Sequence, residues 1–128
     1  MKKIIFIVEK TGTGYSAYAK EDKYPFSTTG STMEELKTNM VDAANTWFEY
    51  KNMPLVKAGD IAVKIDLQQF FDYYKVINAS ELSKLIIMDR SLLAQYKNGT
   101  KQPSDKQLQK ILTGIKTLGK ELSALEFA

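Results

Sequence analysis

The sequence predicts an α+β protein, in which a small antiparallel sheet with one covering helix is followed by an all-α region. Short strand-like segments separated by turn residues fill the first 30 positions. A long amphipathic helix pattern comes next, and from Asp66 onward the apolar residues follow a helical period. We therefore expect two domains, residues 1–65 and residues 66–128.

Residues 2–10 are expected to form a central strand, because both of its sides are apolar. The other predicted strands cover residues 15–20, 26–29 and 61–65, and the first of these returns from a Gly-rich turn. The apolar residues of the first strand alternate, with Ile4, Phe6 and Val8 on one side and Ile5 and Ile7 on the other.

A helix is predicted to begin near Ser31 and to end near Tyr50. Ser31 with Glu34, or Thr32 with Glu35, has the spacing of a capping box. An apolar stripe along this helix is expected to cover the sheet. Its residues are Met33, Leu36, Met40, Ala43 and Trp47.

Residues 79–104 have the pattern of a helix, a tight turn, a second helix and a polar loop. Asp89 is a suitable N-cap for the second helix, and Gly99 is expected to end it. These helix-boundary residues predict a helix-turn-helix or, alternatively, a plain αα-hairpin. The expected apolar faces are Leu82, Leu85 and Ile86 on the first helix, and Leu92, Leu93 and Tyr96 on the second.

A last helix is predicted over residues 105–125, with Ser104 as its N-cap. Its apolar residues repeat every seven positions, so its far end is expected either to contact a second copy or to dock on its own domain. Gly114 and Gly119 are expected to allow close approach of a helix or to mark a bend. The predicted dimerisation residues are Ile115, Leu118, Leu122 and Leu125.

Composition excludes several functional classes. The chain has no cysteine and no histidine, which removes thiolate chemistry, the commonest general base and the commonest metal ligand. No apolar stretch is long enough to span a membrane, and no signal-peptide pattern follows the opening strand. We expect a cytoplasmic protein that is not an enzyme and has no cofactor.

The stretch over residues 79–104 resembles the Cro/repressor (XRE-like) helix-turn-helix in Leu82, Met88, Leu93, Tyr96 and the Asn98-Gly99 pair. The family usually has Gly in the turn where Ile87 stands, so a differently shaped or longer turn is expected. The resemblance implies a dimer on two-fold operator DNA, with half-sites about 10 bp apart. The implied base contacts are Arg90, Ser91 and Gln95, and the implied phosphate contacts are Asn78, Asn98, Thr100, Lys101 and Gln102.

The N-terminal half resembles HicB-type antitoxins, which have a partial ribonuclease-H-like domain. The resemblance lies in the opening strand, residues 14–18, and residues 28–36, TTGSTMEEL. It implies that this domain neutralises a small HicA-type ribonuclease toxin, while the helix-turn-helix represses the operon encoding both. A stand-alone regulator whose N-terminal domain binds another ligand or protein is the first alternative, and a nuclease is the second.

Overall fold

The computed structural model describes residues 3–126, and its mixture of strands and helices confirms the predicted α+β class. A short 3₁₀ turn, Ala58–Asp60, precedes the fourth strand. Lys2, where the first strand was expected to begin, lies outside the described residues. The elements are β1 Ile4–Thr11, β2 Gly14–Ala19, β3 Ser27–Gly30, α1 Met33–Tyr50, β4 Ile61–Ile65, α2 Leu67–Tyr73, α3 Ala79–Leu85, α4 Arg90–Asn98 and α5 Asp105–Ser123.

The sheet has the strand order β3-β2-β1-β4, and β1 is central as expected. Neighbours β1 and β2 are antiparallel, as are β2 and β3, but β4 is parallel to β1. The expected all-antiparallel sheet is therefore wrong at β4. The reason is α1, which connects β3 to β4 and returns the chain to the end of the sheet from which β3 started, as parallel strands require.

The sheet packs its Ile4, Phe6 and Val8 side into the core of the first unit. From α1 the fully buried residues are Leu36, Met40, Ala44 and Phe48, spaced four apart. The predicted stripe is therefore correct at Leu36 and Met40 and displaced by one residue beyond them. Met33, Ala43 and Trp47, which were expected to face the core, are only partly buried at its margin.

The start of α1 uses one of the two predicted caps. The Thr32 hydroxyl accepts the backbone N–H of Glu35 at 3.1 Å. The Glu35 carboxylate turns back to Ser31 instead of Thr32, and accepts its hydroxyl at 2.8 Å. The hydroxyl groups of Ser31 and Thr32 therefore both stabilise the first turn of α1.

The chain divides into two compact units, one ending at Tyr73 and one beginning at Tyr74. The expected boundary was after Ile65, so α2 belongs to the first unit and not to the second. The Gln69 side chain explains this, because it accepts the Lys10 N–H at 3.0 Å and donates to the Lys10 carbonyl at 2.7 Å. Over residues 3–126, no helix has the length and apolar character needed to cross a bilayer.

Candidate nucleic-acid interface

Helices α3 and α4 are joined by a short turn, as both the predicted helix-turn-helix and the alternative αα-hairpin require, and each is capped by the residue before it. The Asn78 side-chain oxygen accepts the Glu81 N–H at 3.2 Å. The Asp89 carboxylate accepts the N–H groups of Ser91 and Leu92, at 2.7 and 3.3 Å. Gly99 ends α4 in the left-handed conformation, with φ of 76°. The predicted caps at Asp89 and Gly99 are confirmed.

The turn between α3 and α4 is a Schellman motif with isoleucine at the position that normally favours glycine. The Met88 N–H donates to the Ser83 carbonyl at 2.9 Å, and the Ile87 N–H donates to the Lys84 carbonyl at 3.3 Å. Ile87 has φ of 53°, in the left-handed region. The expectation of a different or longer turn is therefore wrong: Ile87 takes up the conformation that a glycine would adopt there.

Behind the turn, α3, α4 and α5 share a small apolar core. Two of the residues expected on the apolar faces of α3 and α4 are not fully buried: Leu85 is 52% exposed, and Leu92 is half-buried. Ser83 is buried with its hydroxyl donating to the Ser80 carbonyl at 2.6 Å. The buried apolar side chains are Leu82, Ile86, Leu93, Tyr96, Leu108 and Ile111.

The three predicted base-contacting residues are all exposed on α4. Arg90 is the first residue of the helix, and Ser91 is the second. Ser91, Gln95 and Asn98 are spaced four and three apart, so they lie on one side of the helix. The buried Leu93 and Tyr96 hold the opposite side against the core. The structure thus leaves a polar face of α4 open to solvent.

The five predicted phosphate contacts are exposed as well, in two places along the chain. Asn78 stands before α3, where its oxygen is used as a cap and its amide nitrogen can still donate. The others lie at the end of α4 and in the loop that follows. That loop is anchored by the Lys101 N–H, which donates to the Gln95 carbonyl at 3.3 Å. The four residues are Asn98, Thr100, Lys101 and Gln102.

Positive charge is concentrated in the second unit. From Tyr74 onward the sequence has nine Lys and Arg against five Asp and Glu, whereas the preceding residues have nine against ten. Of these nine residues only Arg90 and Lys101 were predicted to contact DNA, although Lys97 and Lys106 are exposed as well. Lys97 follows Arg90 by seven residues, so both lie on the same side of α4, and this spacing was visible in the sequence.

Helix α5 contacts the turn through its N-terminal half. The Lys110 ammonium group donates to the Ile87 carbonyl at 2.9 Å. Gly114 lies so close to Ile86 that a β-carbon there would overlap Ile86 Cγ2. Gly119, in contrast, has open space around it. The expected close approach of a helix is therefore met at Gly114 within the same unit.

The predicted dimerisation residues become more exposed toward the end of the chain. Ile115 and Leu118 are half-buried, and Leu122 is 57% exposed. Leu125 is 66% exposed and lies beyond the last residue of α5, Ser123. Contact of these residues with a second copy stays a prediction.

A metal-dependent nuclease needs a cluster of carboxylates that converge on its metal ions. Between residues 3 and 126, no group of three or more acidic side chains is arranged to hold a metal ion. Glu35 is used at the start of α1, as described above. Glu9 and Asp66 both act on the Tyr18 hydroxyl, whose pKa is raised by burial first and then by these two carboxylates.

Comparison with known proteins adds no relative to this picture. No protein-family model matches the chain, and neither does a curated protein or a solved structure. The likenesses to HicB-type antitoxins and to Cro/repressor proteins consequently rest on the residues of this chain alone.

Proposed function

We propose that this protein is an antitoxin of the HicA/HicB type, which neutralises a small ribonuclease toxin and represses its own operon by binding operator DNA. The observation that carries the DNA-binding half is the open polar face of α4, presented on a basic unit. An exposed helix with this composition, held by a second helix behind it, is suited to enter a major groove.

The side chains on α4 have the donors and acceptors that base reading requires. Arg90 can pair with the O6 and N7 atoms of guanine, and Gln95 with the N6 and N7 atoms of adenine. Asp89 would repel phosphate if its charge faced the DNA. Because its carboxylate accepts two N–H groups at the start of α4, that charge is compensated locally.

A single copy of the protein can make few contacts with DNA. We therefore propose that the protein binds a two-fold operator as a dimer. The exposed part of α5 supports this proposal, since Leu122 extends the apolar row of Ile115 and Leu118 into solvent. Pairing these rows from two copies would remove an exposed apolar strip from water.

The toxin-binding half of the proposal belongs to the first unit and derives from its resemblance to HicB-type antitoxins. Exposed apolar side chains at the end of α1 and just beyond it offer a place for a partner. They are Tyr50, Met53 and Leu55, which are 79%, 43% and 58% exposed. Large exposed apolar side chains this close in sequence can form a protein-binding surface.

Operator binding is tested with the Arg90→Ala, Gln95→Ala double variant. We expect specific binding upstream of the protein's own gene to fall by a factor of about 10 or more, because each bidentate base contact is worth about 1–3 kcal/mol. Lys57→Ala, which removes an exposed charge from the first unit, is the control. Unchanged specific binding by the double variant would exclude α4 as the reading helix.

The toxin is tested by co-purification with the product of an adjacent small reading frame, using the wild-type chain and a Tyr50→Ser, Leu55→Ser variant. Loss of the partner from the variant, with operator binding retained, is the expected result. The near-neutral charge of the first unit favours one competing function, a stand-alone regulator whose first unit binds another ligand. A gene neighbourhood without such a reading frame would support that alternative.

A further inference from the structure

The two edges of the sheet differ in a way that the proposed function does not use. Edge strand β3 is four residues long and polar, with the sequence Ser-Thr-Thr-Gly. Edge strand β4 is Ile-Ala-Val-Lys-Ile, and its Val63 side chain is 36% exposed. Short polar edges resist pairing with other strands, whereas aliphatic edges invite it. Strand β4 is therefore the edge at which another strand is expected to add.

The direction of the backbone groups on β4 follows from one hydrogen bond. The Asp66 N–H donates to the Val8 carbonyl at 3.2 Å, so Asp66 points toward β1. Because successive residues of a strand point to opposite sides, Ile65, Val63 and Ile61 direct their N–H and C=O groups away from β1. In the described part of the chain, β4 is the last strand on this side of the sheet.

We propose that β4 pairs with β4 of a second copy, antiparallel and centred on Val63, to make one continuous sheet across a two-fold axis. In this register Val63 faces Val63 of the partner subunit, and Ile61 faces Ile65 of the partner subunit. All three outward-pointing residues then meet outward-pointing residues. Each such pair exchanges two hydrogen bonds, which gives up to about six across the interface.

The side chains of β4 fit the same register. The register with β1 puts Ile61, Val63 and Ile65 on the α1 side of the sheet, together with Ile4, Phe6 and Val8. In the symmetric pair, each of these aliphatic side chains lies opposite an aliphatic side chain of the second copy. Such cross-strand pairs stabilise a sheet. On the other side, Lys64 comes opposite the alanine at position 62 of the second copy, so no two lysines are directly opposed.

A groove beside β4 adds apolar surface to this interface. Its walls include Met40 and Val41 from α1 and Ile61 and Val63 from β4. The partner strand would lie along its open side and cover the exposed part of Val63. The proposed contact belongs to the first unit and does not depend on DNA binding, on a toxin or on α5, so it adds a second interface between copies.

The test uses the absence of cysteine from the chain. A single Val63→Cys substitution can form a disulfide only between two copies. Residues directly opposite in a hydrogen-bonded antiparallel pair have α-carbons about 5.5 Å apart, within the range that a disulfide bridges. We expect rapid formation of a covalent dimer under mild oxidation. The control is Ser27→Cys, an exposed position on the other edge of the sheet, which should cross-link at least about ten times more slowly.

A second measurement removes the α5 contact first. In a Leu122→Lys background, sedimentation should still show a dimer, and adding Val63→Lys should raise its dissociation constant by a factor of about 10 or more. Equal cross-linking of the two cysteine variants, or unchanged sedimentation with Val63→Lys, would overturn the proposal. Protection of the β4 amides from hydrogen exchange only after a partner protein is added would also overturn it, and would assign this edge to that partner.

Discussion

At the scale of single residues, Ile87 is the most unusual feature of the turn between α3 and α4. A branched β-carbon crowds the backbone in the left-handed region, which costs about 1–2 kcal/mol relative to glycine. The side chain is 84% exposed, so little burial offsets that cost. The turn keeps its shape because both Schellman hydrogen bonds are made and Lys110 holds the Ile87 carbonyl.

We expect Ile87→Gly to raise the free energy of unfolding by about 1 kcal/mol, because glycine adopts a positive φ without strain. Urea denaturation measures the change. Ile87→Val keeps the branched β-carbon and should leave stability nearly unchanged. A loss of stability with glycine, like the one that glycine causes inside a helix, would show that Ile87 is not strained.

Asp89 combines a structural role with an electrostatic cost. Asp89→Asn keeps the oxygen that caps α4 and removes a negative charge from the proposed DNA face. We expect stability to change little and operator affinity to rise several-fold. Asp89→Ala should instead lose about 1 kcal/mol of stability through the missing cap. Urea denaturation and DNA titration of both variants separate the two effects, and a fall in operator affinity with asparagine would contradict this account.

At the scale of elements, α5 contains two glycines that differ in their surroundings: Gly114 is packed against Ile86, and Gly119 has open space around it. We expect Gly114→Ala to destabilise the protein by about 1–3 kcal/mol, because the added methyl group overlaps Ile86 beneath the turn. Gly119→Ala should raise stability by up to about 1 kcal/mol, because alanine favours helix and nothing lies nearby. Thermal unfolding of both variants measures the difference. Equal effects of the two substitutions would mean that α5 does not press on the turn.

Helix α1 shows how far a sequence pattern determines packing. The caps, the length and the presence of an apolar side were predictable, since each depends on residues close in sequence. The stripe was drawn with alternating steps of three and four, which keeps Ala43 and Trp47 in line. The sheet instead contacts residues four apart, so Ala44 and Phe48 fill the core. Which margin of a helix is buried depends on the surface it meets, and that surface is built by distant residues.

The direction of β4 relative to β1 could not be predicted from the sequence, for a related reason. A five-residue alternating segment has the same pattern in a parallel and in an antiparallel pair. Its neighbour is β1, which lies more than 50 positions earlier in the sequence. Only the path of α1 across the sheet decides the direction. For Ile87, the local preference of a branched residue against positive φ suggested a different turn. The packing of α5 on the turn outweighs that preference, and Ile87 adopts the left-handed conformation.

At the scale of the whole molecule, basic charge and the exposed end of α5 belong to the same unit. We expect Leu122→Lys to weaken binding to a full two-fold operator much more than binding to a single half-site, because the proposed dimer contact would contain a buried charge. Thr117→Lys places the same charge on the opposite side of α5 and is the control. DNA titration with full and half operators measures the ratio. Equal losses on both DNAs would argue against an α5 dimer.

The candidate site was largely predictable, because its residues follow one another in a short stretch. Exposed Arg90, Ser91 and Gln95 could be placed from two caps and the positions of Leu93 and Tyr96. The predicted dimerisation residues were harder to place on one helix face, since α5 ends at Ser123 and leaves Leu125 outside the helix. Local patterns determine where a helix starts more reliably than where its last turn unwinds.

The parallel contact of β4 with β1 has a consequence for the order of events on the ribosome. The sheet is complete once the chain has been made as far as Ile65, and α2 closes the first unit a few residues later. After Tyr73, translation at about 5–20 residues per second needs roughly 1–5 s more to reach Asn98, the end of α4. During that interval the unit proposed to bind a partner is complete, whereas the helix pair proposed to read DNA is not, so capture of a partner can precede any encounter with the proposed operator.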